Sequence, residues 1–261
     1  MKRTLITPNL SEYPSDIRAL MEGAKVYDSS CSPEARVLFI ERDNGYFLKR
    51  APKGTLHREA VMTDYFHKKG LSPSVISYLS LDADLLVTER ALGEDCTHPE
   101  YLNNPKRLVD TLAERLRMLH ECDFSTCPVQ DRMKSYIDLV NENYKTGNYD
   151  SSHFPDSFGY RSAEQAYAMA RLAPEALRGR VLLHGDYCLP NIMLDNWRFS
   201  AFIDLGGGGV GDRHIDLFWG VWTLGFNLHT NEFDSRFLDA YGRDVIDTDA
   251  LRIVAACEVF G

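Results

Sequence analysis

What this chain of 261 residues lacks narrows its class before any motif is read. Its six cysteines, Cys31, Cys96, Cys122, Cys127, Cys188 and Cys257, include no C-x-x-C pair and no histidines at zinc-ligand spacing, so neither a zinc ribbon nor a disulfide framework is indicated. The amino-terminal MKRTLITPNLSEYP has early basic residues but lacks the apolar stretch of a signal peptide. The chain is therefore expected in the reducing cytoplasm with its thiols free. No apolar run reaches the ~20 residues of a membrane span. The longest, Leu217 to Phe226, is bounded by Asp216 and Asn227, so a membrane partner is not expected. Positive charge is also short. Twenty-nine Lys and Arg face 38 Asp and Glu, for a formal charge of −9, which repels a phosphate backbone and attracts cations. Nucleic acid is not expected as a partner. What remains is an ordinary folded protein, 44% hydrophobic and 26% charged, with room for one large domain or two small ones.

The pattern changes along the chain. Up to about residue 90, short β-rich runs surround one amphipathic helix. Ser15 to Met21 reads as an opening helix stopped at Gly23. Val37 to Ile40 and Tyr46 to Lys49 are joined through Asp43-Asn44-Gly45, a sequence that tolerates positive φ and favours an antiparallel hairpin. Leu56, Ala60 and Tyr65 recur at helical spacing up to Gly70, and Val75 to Leu81 with Leu85 to Thr88 complete a sheet of about five strands. From Gly93 onward long helices take over. Asn104 reads as an N-cap before Pro105, and Leu108, Leu112, Leu116 and Leu119 form one apolar stripe. Ser162 and Gln165 fit a capping box, Arg213 to Asn227 and Ala250 to Phe260 read as further helices, and Val181 to Phe202 reads as a strand, a polar loop and two short strands around Asn196. The expectation is an α+β protein of two lobes, 1–90 and 91–261, with a hinge at about 88–93.

The segment richest in chemistry is His184-Gly185-Asp186-Tyr187-Cys188-Leu189-Pro190-Asn191. Its HxDxxxxN spacing is that of a kinase catalytic loop, in which the Asp accepts the proton of the substrate hydroxyl and the Asn holds Mg²⁺. Phosphoryl transfer asks little covalent chemistry of a protein. It needs cations to neutralise developing charge and one carboxylate at the attacking oxygen. Asp204, in Phe202-Ile203-Asp204-Leu205-Gly206, supplies the second metal-binding group. Upstream, Lys49 ends the strand Phe47-Leu48-Lys49 and Glu59 lies on the following helix, the arrangement by which a glutamate holds a lysine against the α- and β-phosphates. Each residue alone reads better as a loop cap or a solvated charge; their joint order along the chain reverses this and favours the nucleotide reading. His120, His153, His214 and His229 share no ligand spacing and read as surface or satisfied core histidines. Cys188 reads as a tolerated small residue, and Trp219 and Trp222 as core.

Taken together these segments resemble the aminoglycoside phosphotransferases, small kinases of protein-kinase-like fold that inactivate antibiotics, and within them the 3′-phosphotransferase branch. The resemblance spans nearly the whole chain: HGDYCLPNIMLDNWRFSAFIDLG is similar to that branch's catalytic segment, Ser32-Pro33 to its nucleotide-covering loop and LVTERALGED to its hinge. It implies an antiparallel N-lobe sheet with one main helix and a mainly helical C-lobe. It implies ATP, with GTP left open, and Mg²⁺ at Asn191 and Asp204. Lys49, Glu59 and Ser32 would then serve the phosphates, Phe47 would stack on adenine, Thr88 and Arg90 would offer backbone groups to its edge, and Ile203 would floor the pocket. Asp186 would meet the acceptor hydroxyl, Asp216 would brace the loop, and Asp156 and Glu258 would take the ammonium groups of the drug. The absence of GxGxxG fits this branch, and the absence of an APE segment points to a small acceptor. Two departures stand on the acceptor side. Gly207 occupies the position after IDLG where the branch usually has Arg, and Phe226 and Asn227 occupy positions that are acidic in some relatives. These departures keep a second reading open, a kinase for another antibiotic, a sugar or an amino alcohol; a third is a nucleotide-binding protein without transferase activity. Oligomeric state has no signal in the sequence.

Overall fold

A computed structural model describes residues 3–31, 33–150 and 159–261, which form two compact units. The first comprises Met1–Asp95 and Ile192–Gly206, the second Cys96–Asn191 and Gly207–Gly261. The segment 192–206, which the sequence reading kept with the second lobe, thus packs with the first.

The first unit is built on an antiparallel sheet of β1 (Thr4–Ile6), β2 (Lys25–Asp28), β3 (Arg36–Glu41), β4 (Tyr46–Pro52), β5 (Val75–Ser80) and β6 (Ala83–Glu89). Their order is β1-β2-β3-β4-β6-β5, six strands where about five were expected. The unforeseen pair, β1 and β2, is short and β1 is mostly exposed, so neither carries an alternating apolar signal. The β3–β4 hairpin turns where Asp43-Asn44-Gly45 predicts, with Asp43 at φ 50° and Gly45 at φ 97°. Helix α1 (Ser15–Met21) buries Ile17 and Met21 against Val26, Leu38, Ile40, Leu48, Leu85 and Val87 of the sheet. Helix α2 (His57–Lys68) follows β4. The chain leaves for the second unit after β7 (Glu94–Asp95) and, past β8 (Val181–Leu183) there, returns as β9 (Ile192–Asp195) and β10 (Arg198–Phe202). β9 pairs with both β7 and β10. Asn196 and Trp197, both at positive φ, form the two-residue turn between them, as type I′ hairpins require.

The second unit is helical: α3 (Pro99–Leu102), α4 (Pro105–His120), α5 (Arg132–Thr146), α6 (Ala163–Ala170), α7 (Ala173–Ala176), α8 (His214–Leu228), α9 (Asp234–Tyr241) and α10 (Thr248–Glu258). Its strands β8 and β11 (Gly209–Gly211) form an antiparallel pair. The predicted stripe of α4 is the buried one, Leu108, Leu112, Leu116 and Leu119. Burying each Leu contributes roughly 1.5–3 kcal/mol, enough to fix the rotation of the helix. Asn104 sits at the N-cap of α4, but its amide donates back to the Glu100 carbonyl at 2.9 Å and makes no capping bond. Ser162 does cap α6, accepting from the Gln165 amide at 3.2 Å, while Gln165 Oε1 accepts from the Arg161 amide. Small residues on α6 (Ala163, Ala166, Ala170) let α10 approach with Val254, Ala256 and Cys257. Among the described residues no disulfide links the cysteines, and no helix is long and apolar enough to cross a membrane.

Candidate active site

In the first unit the period of two along β4 puts Phe47 and Lys49 on one face and the buried Leu48 on the other. Lys49 Nζ lies 2.8 Å from Glu59 Oε2 and 2.8 Å from Asp204 Oδ1, so three of the predicted residues meet at one ammonium. Burial alone would lower the Lys49 pKa, but the two carboxylates overcome it and leave it raised. Burial, with Asp204 nearby, raises Glu59 in spite of the lysine. Glu59 is placed by the first turn of α2, and that turn is fixed by a residue the sequence reading did not single out. Asp84, fully buried in β6, accepts from the Leu56 amide at 2.9 Å, from the Gly54 amide, from Tyr78 Oη at 3.0 Å and from Ser80 Oγ at 2.6 Å. A charged residue interrupting the apolar Ala83–Val87 run was its only signal. Asp204 itself is held at φ 58°, a left-handed conformation rare outside glycine, and Arg58 Nε donates to the carbonyl of Gly206 just beyond it.

The same unit carries the other predicted nucleotide residues. Phe47 pairs in register with Thr88, and its ring centroid lies 5.2 Å from that of Phe39. The Arg90 amide donates to the Gly45 carbonyl at 2.9 Å, so Arg90 has only its carbonyl left to offer. Ile203 packs on Ala91, Met193 and Ala201, a small apolar cluster. Ahead of β3, the Ser29 amide donates to the Val37 carbonyl and Ser30 Oγ accepts from the Val37 amide, closing the loop that leads to Pro33. Ser32 lies outside the described residues, as does Asp156.

In the second unit β8 delivers the His184–Asn191 loop, and α8 holds it. Asp216, fully buried, accepts from the amides of His184 at 2.8 Å and Gly185 at 2.7 Å, and meets His120 Nε2 at 3.1 Å. Thr223, two turns on, accepts from the Leu189 amide at 3.1 Å. Both ends of the loop are thereby hung from one helix. Inside it, Asn191 Nδ2 donates to Asp186 Oδ2 at 2.8 Å and to the Asp186 carbonyl at 3.1 Å, while the Asp186 amide points to His184 Nδ1 at 3.3 Å. Gly185, at φ 85°, packs so closely on the Gly207 backbone that a Cβ on Gly207 would lie 2.7 Å from the Gly185 carbonyl oxygen. A side chain at position 207 would require that contact to open.

Glu258 closes α10 in the same unit. Burial pushes its carboxyl up to about 7, although the Tyr136 hydroxyl donates to it at 2.7 Å and Arg132 and the Trp219 indole also favour its charged form; Asp186 pushes the other way. Tyr136 and Arg132 were missed because, with Val140, they fall at core spacing on α5. The Cys188 thiol is raised by burial and by Asp186, which makes it a poor nucleophile. His120 and His214 are satisfied core residues as expected: His120 Nδ1 meets Tyr241 Oη at 2.8 Å, and His214 meets Asp212 at 2.6 Å and the Asp247 amide at 2.9 Å. Trp219 and Trp222 are only partly buried, because α8 has a solvent side that its apolar composition conceals.

Residues 30–254 match the model of the phosphotransferase enzyme family. The chain belongs to that family. Among its relatives, a Lactococcus lactis protein named "Probable aminoglycoside 3′-phosphotransferase" is 51% identical over 254 residues, 97% of each chain. Among solved structures, an aminoglycoside 3′-phosphotransferase of type VIII superposes with a TM-score of 0.80 at 22% identity, covering 96% of both chains. An aminoglycoside phosphotransferase of Streptomyces rimosus, solved in complex with ADP and streptomycin, gives 0.78 at 19% identity, covering 97% of this chain and 99% of its own. The phosphotransferase therefore has the protein-kinase-like fold, with an antiparallel sheet in one unit and helices in the other. Among its described residues no cluster of three His, Cys, Asp or Glu is preassembled around a metal. Asn191 in one unit and Asp204 in the other each carry a hard oxygen donor of the kind Mg²⁺ takes.

Proposed function

We propose that the phosphotransferase moves the γ-phosphoryl group of ATP to the 3′-hydroxyl of an aminoglycoside. Asp186 accepts the hydroxyl proton as the acceptor oxygen forms its bond to phosphorus and the bridging oxygen of ADP leaves. Asn191 holds the Asp186 carboxylate in place. Lys49, steadied by Glu59, binds the α- and β-phosphates, with the loop around Ser32 covering them. Phe47, Ile203 and the backbone at Thr88 and Arg90 receive the base. Asn191 and Asp204 would hold Mg²⁺, which supplies neutralisation of phosphate charge when bound. Residues 1–90 serve the nucleotide, joined by Ile203 and Asp204 from the returning segment, and residues 91–261 otherwise serve the acceptor. Asp156 and Glu258 meet its ammonium groups. Such an enzyme works where ATP is, in the cytoplasm.

The observation that carries this reading is the intact loop, in which Asn191 donates to the Asp186 carboxylate at 2.8 Å and the Cys188 thiol also bonds to it. The choice of acceptor is supported by the name of the relative that is 51% identical. The test is a reaction with MgATP and kanamycin, its product located by mass spectrometry and phosphorus NMR. Phosphate at the 3′-oxygen is expected, with no transfer to a 3′-deoxy analogue. Transfer to the deoxy analogue at a similar rate would move the site to another hydroxyl.

A further inference from the structure

Helix α8 carries two strips of side chains with different tasks. At about 100° per residue, Asp216, Thr223 and Asn227 fall within about 40° of one another, and Trp219, Trp222 and Phe226 fall about a quarter-turn away. Asp216 and Thr223 hang the catalytic loop, and Asn227 is turned onto its own helix, donating to the Thr223 carbonyl at 2.7 Å. The aromatic strip is a ladder. Trp219 meets Trp222 edge-on at 5.3 Å, and Trp222 stacks on Phe226 at 5.1 Å with their planes 10° apart.

One end of the ladder is tied to the acceptor side. Trp219 packs on the core that includes Cys257, Val259 and Phe260, the residues flanking Glu258, and its indole interacts with the Glu258 carboxylate. The other end is open, with Phe226 62% exposed. From Leu217 to Asn231 the chain contains no Asp or Glu, and Asp216 is committed to the loop, so this helix offers no carboxylate to an ammonium group. What it offers is an aromatic ladder that begins with Trp219 beside Glu258 and ends in the stacked pair of Trp222 and Phe226. The negative face of such a ring attracts the slightly positive axial C–H bonds of a pyranose and any ammonium at its margin.

We propose that Phe226, backed by Trp222 and Trp219, forms a subsite that takes the C–H face of one pyranose ring of the acceptor. Part of the acceptor is then selected by ring shape instead of by its number of ammonium groups. This rests on the aminoglycoside reading above, and the test separates the two. Steady-state kinetics with kanamycin and ATP are measured for the full chain, Phe226→Ala and Phe226→Trp, and kanamycin binding without ATP is followed by calorimetry at low and high salt. Phe226→Ala is expected to raise the kanamycin KM about three- to tenfold with the KM for ATP unchanged, and Phe226→Trp to restore it. The ratio of affinities between the parent chain and Phe226→Ala should persist at high salt, because stacking is not screened as ion pairs are. An unchanged kanamycin KM in Phe226→Ala overturns the subsite while leaving the function intact. If the parent chain phosphorylates no kanamycin, the function fails, and calorimetry decides alone: binding weakened three- to tenfold by Phe226→Ala supports the subsite, and unchanged or undetectable binding overturns it.

Discussion

Two inward-facing carboxylates, one in each unit, have opposite chemistry. Asp84 is fully buried, yet four donors, the amides of Gly54 and Leu56 and the hydroxyls of Tyr78 and Ser80, overcome burial and hold its pKa down to about 2. Glu258 is half-buried with one short donor, the Tyr136 hydroxyl, and burial takes it up to about 7. Around Asp84 the donors win, whereas around Glu258 burial outweighs them. The difference divides labour. Asp84 is a permanent charge that spends its bonding capacity on fixing the start of α2, and thereby Glu59 and Lys49. Glu258, with its carboxyl raised to about 7, can be charged or neutral near neutral pH, as a group awaiting a cationic ligand can be.

The largest effect tests the loop on which both sides depend. Asp186→Asn should keep the fold and nucleotide binding but lose turnover by at least ~10²-fold, the lower range for a positioned proton acceptor. Near-normal turnover in a folded variant sinks the assignment. Next comes the structural carboxylate. Asp84→Ala leaves the buried Leu56 amide and the half-buried Tyr78 hydroxyl without their acceptor, and a loss of roughly 1–3 kcal/mol in denaturant unfolding is expected. A loss below 1 kcal/mol would mean that water replaces the carboxylate and that α2 is fixed by packing. Smaller again is the phosphate contact. Lys49→Ala removes a charged hydrogen-bond donor, and the KM for ATP should rise about 10- to 100-fold with the acceptor KM little changed. Glu59→Ala should act in the same direction more weakly, since it only orients the lysine. A selective loss of acceptor affinity in either variant contradicts their placement at the phosphates.

How much of this is legible in sequence follows the same division. Local chemistry is legible: HGDYCLPN, the Lys49 and Glu59 order, the leucine stripe of α4 and the Ser162–Gln165 cap all depend on near neighbours, and the structure reproduces the last two and brings Lys49, Glu59 and Asp204 to one point. What is not legible depends on distant partners. Asp84 reads as a stray charge in a strand until Leu56 and Gly54 are seen to donate to it. Tyr136 reads as core until its hydroxyl is found on Glu258, 122 residues away. Asn104 has the right residue type for a cap, but the Glu100 carbonyl takes its amide. Phe226 reads as a lost carboxylate, and only the stack on Trp222 shows what stands in its place.

The smallest effect is the one that sharpens the comparison furthest, because it reads Glu258 through pH. A carboxyl raised to about 7 in the folded chain is neutral at pH 6 and charged at pH 8. Folding suppresses its ionisation, so its contribution to stability is fully present below the ordinary carboxylate range and is lost as pH rises through about 7. Acceptor binding runs the other way. An ammonium group pairs with the charged form, so the KM for kanamycin should fall a few-fold from pH 6 to pH 8 while the KM for ATP stays flat. Glu258→Gln should abolish that slope and sit at the high-KM end throughout, and at pH 8 it should unfold no more easily than the parent chain, because it no longer carries an ionised carboxylate that folding disfavours. Aspartate at 84 provides the control, since a group held near 2 has nothing to titrate in this window. A kanamycin KM in Glu258→Gln that keeps the parental slope would assign the titration to another group of the enzyme and remove Glu258 from the acceptor site.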